Sequence, residues 1–248
     1  MSLAALLGLG AFGIVVGGLI GAVGVGGVLL VPFLVYVLGM EVHAAIAATM
    51  FSYLFSGGVG AMLYARHGSI RWGMAGWLCL AAMPAAFLGA LAVSATPGNW
   101  LELLIAVLVI FAGVNALRST GGDGDGGEAL GGARLGAIGA ITGFGSAMSG
   151  TGGPLILVPI LLWLEVPVLT AVGLSQAIQV PIAALATIGN FTFGRIDFAI
   201  AAVIAVALIL GVAAGARLAH KVSHTSLRRF VAWILMLTGV SIAAGAVF

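Results

Sequence analysis

A short glycine turn that occurs twice constrains this chain most. The first copy is Gly24-Val25-Gly26-Gly27 and the second is Gly150-Thr151-Gly152-Gly153, followed by Pro154. Each copy follows a glycine-rich apolar stretch. Each is followed by only about a dozen apolar residues before a carboxylate, Glu41 or Glu165, ends the run. A helix of that length rises ~18 Å, whereas the hydrocarbon core of a bilayer is ~30 Å thick. The chain is 62% hydrophobic and 6% charged, against ~25% charged in a soluble domain, so a bilayer is its solvent. The second arm of each hairpin is then too short to cross. The sequence therefore predicts two broken helical hairpins with glycines at their apices inside the membrane. Backbone exposed at that depth is tolerated only where it lines a cavity or is packed in protein. The apices are the first candidates for a functional site.

The remaining apolar runs predict an all-α polytopic membrane protein, since a β-barrel would alternate apolar and polar residues. Helices are expected at 3–22, 44–65, 72–95 and 100–117, then at 134–149, 168–191, 197–219 and 226–247, with half-helices at 28–39 and 154–164. Gly13, Gly17 and Gly21 form a small-residue seam that lets another helix approach closely. Asn99 and Glu102 have N-cap and N3 spacing. Residues 119–133 form a glycine-rich linker carrying Asp123, Asp125 and Glu128, read as a flexible joint in preference to a Ca²⁺ loop.

The pattern restarts after the linker. With an offset of 126 residues, nine glycine pairs coincide, from Gly10/Gly136 through Gly24/Gly150 and Gly27/Gly153 to Gly113/Gly239. Chance alignment would give about three. The register breaks only between the turn and the next full helix. The expected units are residues 1–118 and 134–248, two repeats of one hairpin and three spanning helices. Three crossings per repeat place the two in opposite orientations. With the linker in the cytoplasm, eight of the nine Lys and Arg residues fall on that side and only Arg195 falls outside, as the positive-inside rule requires. Both termini are then extracytoplasmic. Inverted repeats with broken helices are a signature of secondary transporters.

The paired G-x-G-G hairpins, each followed by a proline-containing half-helix (Pro32, Pro159), resemble the TauE/SafE sulfite exporter family. So do the Ala-Ile-Ala-Ala-Thr run at 45–49, the Ala-Val-Gly-Leu-Ser run at 171–175, and the later Gly68-Ser-Ile and Gly194-Arg-Ile. The resemblance covers nearly the whole chain. It implies transport of a sulfur-containing anion such as sulfite, thiosulfate, sulfoacetate or another organosulfonate, in a bacterial inner membrane. The first turn has Val25 where the second has Thr151, so its anion contacts must come from backbone groups or neighbouring helices.

The residues allow an anion site independently of that likeness. The half-helices begin at the turns, and a helix N-terminus offers free N–H groups and partial positive charge, a combination that binds sulfate-like anions. Candidate ligands are Gly24, Gly26, Gly27, Ser149, Gly150, Thr151, Gly152 and Gly153 at the turns, with Thr49, Ser52, Tyr53, Ser175, Gln176 and Gln179 from the polar faces of the helices that follow. Close packing by glycine and helix–helix hydrogen bonding by the polar faces are the competing readings. Glu41 and Glu165 close the half-helices on opposite sides, as interfacial ends or as coupling groups. No cofactor, metal or nucleic acid is expected. The partners are the lipid bilayer, a small anion, and a coupling proton or cation; a homodimer is left open. Cys79 is the only cysteine, which excludes an intrachain disulfide. An anion channel of the same architecture is the alternative function. Gly145-Ser146 and Ser149-Gly150 faintly resemble a rhomboid-like serine site, but no histidine lies mid-helix to act as base.

The topology is directly testable. Reporter fusions at residue 125 and after Phe248 should report opposite compartments; the same compartment for both would overturn the inverted-repeat reading.

Overall fold

The computed structural model describes residues 3–24, 26–118, 130–193 and 196–219. The helix expected at 226–247, Val25, most of the 119–133 linker, and Arg195, Lys221, Arg228 and Arg229 lie outside the described residues. Every described element is helical. In chain order these are α1 (Leu3–Val23), α2 (Gly27–Val37), α3 (Val42–Arg66), α4 (Trp72–Ala95), α5 (Gly98–Arg118), α6 (Gly132–Ser149), α7 (Pro154–Trp163), α8 (Val168–Phe193) and α9 (Phe198–Ala219). Among them α1, α3, α4, α8 and α9 are long and apolar enough to cross a membrane, whereas α2 and α7 are not. Trp72 and Trp163 are exposed at one end of the bundle, and Trp100 and Tyr36 at the other. That is the placement of aromatic side chains at the two membrane–water interfaces.

The most extensive helix pairings join the two halves of the chain: α1 with α9, α4 with α6, and α3 with α8. Glycine makes the first two pairings close. A methyl on Gly17 would come within 2.7 Å of the Leu208 carbonyl oxygen, and one on Gly21 within 2.4 Å of that of Val212. In the other half, a methyl on Gly143 would come within 2.3 Å of the Ala82 carbonyl oxygen. Gly17/Gly143 and Leu208/Ala82 are both pairs under the 126-residue offset, so the two seams are the same contact made twice. Along the third pairing, Gly57 meets Gln179, Gly60 meets Gln176, and Gly173 meets Tyr64. One number rises as the other falls, so α3 and α8 run antiparallel.

Local chemistry explains the element ends. Glu41 accepts from the His43 and Ala44 backbone N–H groups and caps α3. Asp197 does the same for α9 through Ala199 and Ile200. The capping box expected at Asn99 is not formed. The helix α5 begins two residues earlier than expected, at Gly98, and the Pro97 carbonyl receives the N–H groups of Trp100 and Leu101. Proline's fixed φ suits the entry to a helix, and Glu102 is taken instead by the Tyr36 hydroxyl at 2.7 Å.

The break in register also has a physical form. From turn glycine to proline there are five steps in α2 (Gly27 to Pro32) and six in α7 (Gly153 to Pro159). From proline to the left-handed residue that ends the segment there are seven (Pro32 to Gly39) and six (Pro159 to Glu165). The first half absorbs its extra residue as a π-helical stretch at Phe33–Val37, the wider turn that a one-residue insertion produces.

The seams give a stability test. Gly143→Ala should destabilise the protein by about 1–3 kcal/mol, because the obstructing atom is backbone and cannot rotate away. Gly76→Ala, on open helix surface, should be neutral or stabilising by up to ~1 kcal/mol. Thermal unfolding in detergent compares them; equal melting temperatures would show that α4 and α6 do not pack through Gly143.

Candidate site where the two turns meet

Both first arms end in a left-handed glycine, Gly24 with φ 72° and Gly150 with φ 69°, which reverses the chain without the steric cost a side chain would bring. Each glycine then packs on the other half. A methyl on Gly24 would lie 3.5 Å from Ser175 Oγ, and one on Gly150 would lie 3.1 Å from Thr49 Oγ1. Thr49 and Ser175 are themselves partners under the offset.

Tyr53 joins the two turns. It is fully buried, and its hydroxyl donates to the Gly27 carbonyl at 2.7 Å. Its ring lies against Gly152, where a methyl would be 2.8 Å from Cδ2; Gly152 has φ 79° as well. The two backbones also touch each other, since a methyl on Gly27 would reach within 3.0 Å of the Thr151 carbonyl oxygen. Gln179, the offset partner of Tyr53, reaches back with Nε2 to the Tyr53 carbonyl at 3.5 Å and to Ser56 Oγ at 3.4 Å. Gln176 Nε2 donates to the Ile20 carbonyl on α1 at 3.2 Å. Both glutamines leave Oε1 buried without a partner.

The expected ligands thus separate. Gly27, Tyr53, Thr151, Gly152 and Gln179 converge, with Gly24–Ser175 and Gly150–Thr49 beside them. Ser149 supports the second turn: its hydroxyl donates to the Gly145 carbonyl at 2.7 Å and lies 3.0 Å from Thr151 Oγ1. Gly26 has extended backbone and packs against its own hairpin at Leu19 and Val16. Ser52 is turned elsewhere, toward the Ala201 carbonyl of α9 at 2.8 Å. The Ile20 and Gly21 carbonyls, which receive Gln176 and Tyr64, escape a sequence reading because a main-chain acceptor leaves no residue signature.

The electrostatics are uniform. Every buried polar side chain among the described residues is neutral. The half-helices contribute partial positive charge through their first N–H groups. Pro154 at the start of α7 has no N–H, so Leu155 carries the first one there. The carboxylates lie away from this centre. Glu165 ends α7 in a left-handed conformation with φ 56°. Glu41 pairs with His43 at the start of α3. Partial burial pushes its carboxyl up, but the hydrogen bonds from His43 and Ala44 outweigh this and hold it below the usual carboxylate range.

A family model described as Sulfite exporter TauE/SafE matches residues 7–242 of the chain. No curated protein and no solved structure gives a significant match.

The Tyr53 bridge can be tested alone. Tyr53→Phe keeps the ring on Gly152 and removes the bond to Gly27. It should lower stability by about 0.5–1.5 kcal/mol, or more because the Gly27 carbonyl stays buried. Thermal unfolding that is unchanged by Tyr53→Phe would show that the hydroxyl does not hold the turns together.

Proposed function

The chain belongs to the sulfite exporter TauE/SafE family, and from that membership we propose that it is a secondary transporter for a small sulfur-containing anion, bound where the two glycine turns meet. It is an integral membrane protein, by family and by the five long apolar helices among the described residues. Sulfite, thiosulfate and organosulfonates such as sulfoacetate are the substrate class.

One observation carries the reading: two half-helix N-termini and neutral donors from both halves converge on one buried centre. Backbone N–H groups and helix dipoles favour an oxyanion. A lysine or arginine there would hold it more tightly and slow its release. The neutral donors are engaged in this structure, Tyr53 with the Gly27 carbonyl and Ser175 with that of Val172. An entering anion competes with those carbonyls for the same hydrogens. Its binding loosens the contact between the turns, and the coupled shift of the hairpins opens the site to alternate sides. The reciprocal seams and the antiparallel α3–α8 pair support two inverted repeats about this centre. The basic residues favour a cytoplasmic linker and extracytoplasmic termini, and the family favours a bacterial inner membrane. Flux that saturates and follows a proton or cation gradient separates this transporter from a channel.

A thermal-shift screen with sulfite, sulfate, thiosulfate, sulfoacetate and taurine should identify the ligand, because whatever binds the folded state raises its apparent stability. Titration with the tightest ligand then locates the site. Gln179→Ala should weaken binding tenfold or more, from the loss of about 1.5–3 kcal/mol for a hydrogen bond to a charged group. Arg71→Gln should bind normally. The opposite result would move the site to the cytoplasmic surface and sink the central one.

A further inference from the structure

Four buried polar atoms away from the turns have no role in the reading above. On α6, Thr142 and Ser146 are fully buried, and neither hydroxyl has a hydrogen-bond partner. On α8 the Thr187 hydroxyl, on a half-buried residue, and Asn190 Nδ2, on a residue only 5% exposed, are also buried without a partner. Helical hydroxyls commonly donate to the carbonyl three or four residues earlier. Thr49, Ser52, Ser94, Ser149 and Ser175 all do so. Thr142, Ser146 and Thr187 do not, so their hydroxyls are left for some other partner. A buried polar group in a native protein is almost always hydrogen-bonded, to protein or to water.

The residues next to three of these groups touch α4 at successive heights. Gly143, next to Thr142, rests on Ala82 of α4; Ala147, next to Ser146, is met by Gly89; Gly189, next to Asn190, rests on Ala90. From Ala82 to Ala90 is eight residues, a rise of about 12 Å. The helices α6 and α8 also contact each other directly. Thr142, Ser146 and Asn190 are therefore spread along α4 over a distance longer than one water molecule.

The first half of the chain does not repeat this arrangement. Under the offset of 126, Thr142 corresponds to Val16 and Ser146 to Ile20, both buried and apolar. Asn190 corresponds to Tyr64, whose hydroxyl reaches the Gly21 carbonyl at 2.8 Å. Gly21 in turn corresponds to Ala147. Asparagine is too short to span the gap that tyrosine closes, and Asn190 Nδ2 is left unbonded.

We propose that α4, α6 and α8 enclose an aqueous passage present only in the second half of the chain. It runs beside α4 between the levels of Ala90 and Ala82, and its neutral hydroxyl and amide groups hold water and small hydrophilic solutes. In the first half, Val16, Ile20 and Tyr64 seal the equivalent space. The proposal goes beyond transport itself, because it places water beside the turns from one half of the chain and not from the other, and it holds whichever solute is carried.

Cysteine accessibility tests it. In a Cys79→Ala background, Thr142→Cys, Ser146→Cys, Val16→Cys and Ile20→Cys are treated with aminoethyl methanethiosulfonate in lipid vesicles, and modification is followed by mass. A hydrated thiol ionises and reacts, whereas one packed among apolar groups does not, so the first two should react about tenfold faster or more. Equal rates at all four positions, fast or slow, would overturn the passage. Ser146→Cys is nearly isosteric, and Thr142→Cys supplies the comparison if it misfolds. Complete modification of each variant after unfolding shows that its thiol is competent. A protein that shows the labelling contrast but binds no sulfur anion would remove the proposed function and leave the passage standing.

Discussion

The structure depends on two stretches of backbone coming into contact inside a membrane. Gly27 meets the Thr151 carbonyl, and Gly152 meets the Tyr53 ring, at distances that leave no room for a methyl group. Everything nearby serves that approach. The left-handed Gly24 and Gly150 reverse the chain at the depth required. The glycine seams of α1 on α9 and of α6 on α4 bring the first arms close enough to aim the turns at each other. Lipid supplies no hydrophobic force between helices, so association rests on packing and hydrogen bonds. Glycine provides the packing by removing Cβ, and carbonyls at the seam provide the surface on which it packs.

The hydrogen bonds follow the same economy. Backbone polar groups in a bilayer must be satisfied within the protein, and a broken helix leaves several unsatisfied. Tyr53, Tyr64 and Gln176 are spent on carbonyls of Gly27, Gly21 and Ile20. These side chains come from the helices that cross beside the first hairpin, so that broken segment is held by its neighbours as well as by its own turn. A centre organised in this way is neutral in its side chains and polar in its backbone.

The two halves are related but not equal. The π-helical stretch at Phe33–Val37 absorbs the residue that α7 does not have at that point, and both segments then end in a left-handed residue at matching positions, Gly39 and Glu165. Glycine accepts that conformation freely. Glutamate does so at a cost of about 1–2 kcal/mol. The larger difference is polar. Repeat positions that hold Val16, Ile20 and Tyr64 in one half hold Thr142, Ser146 and Asn190 in the other, and only the second set leaves buried groups in need of partners.

The solvent and the helical class were legible in the chain alone, because hydrophobic run length is a property of the residues read in order. It also marked the turns, since a half-length apolar run in a bilayer has few alternatives. Tertiary structure alone decided which candidates meet. Tyr53 and Ser52 are neighbours on one helix face pattern, yet Tyr53 joins the turns and Ser52 bonds to Ala201 on α9. Asn99 had the spacing of a cap, and Pro97 took the place. Helical periodicity fixes the side of a helix a residue occupies to within a broad arc, but not which neighbour fills that arc. That is set by crossing geometry between segments more than a hundred residues apart, and by main-chain carbonyls whose availability no side-chain letter records.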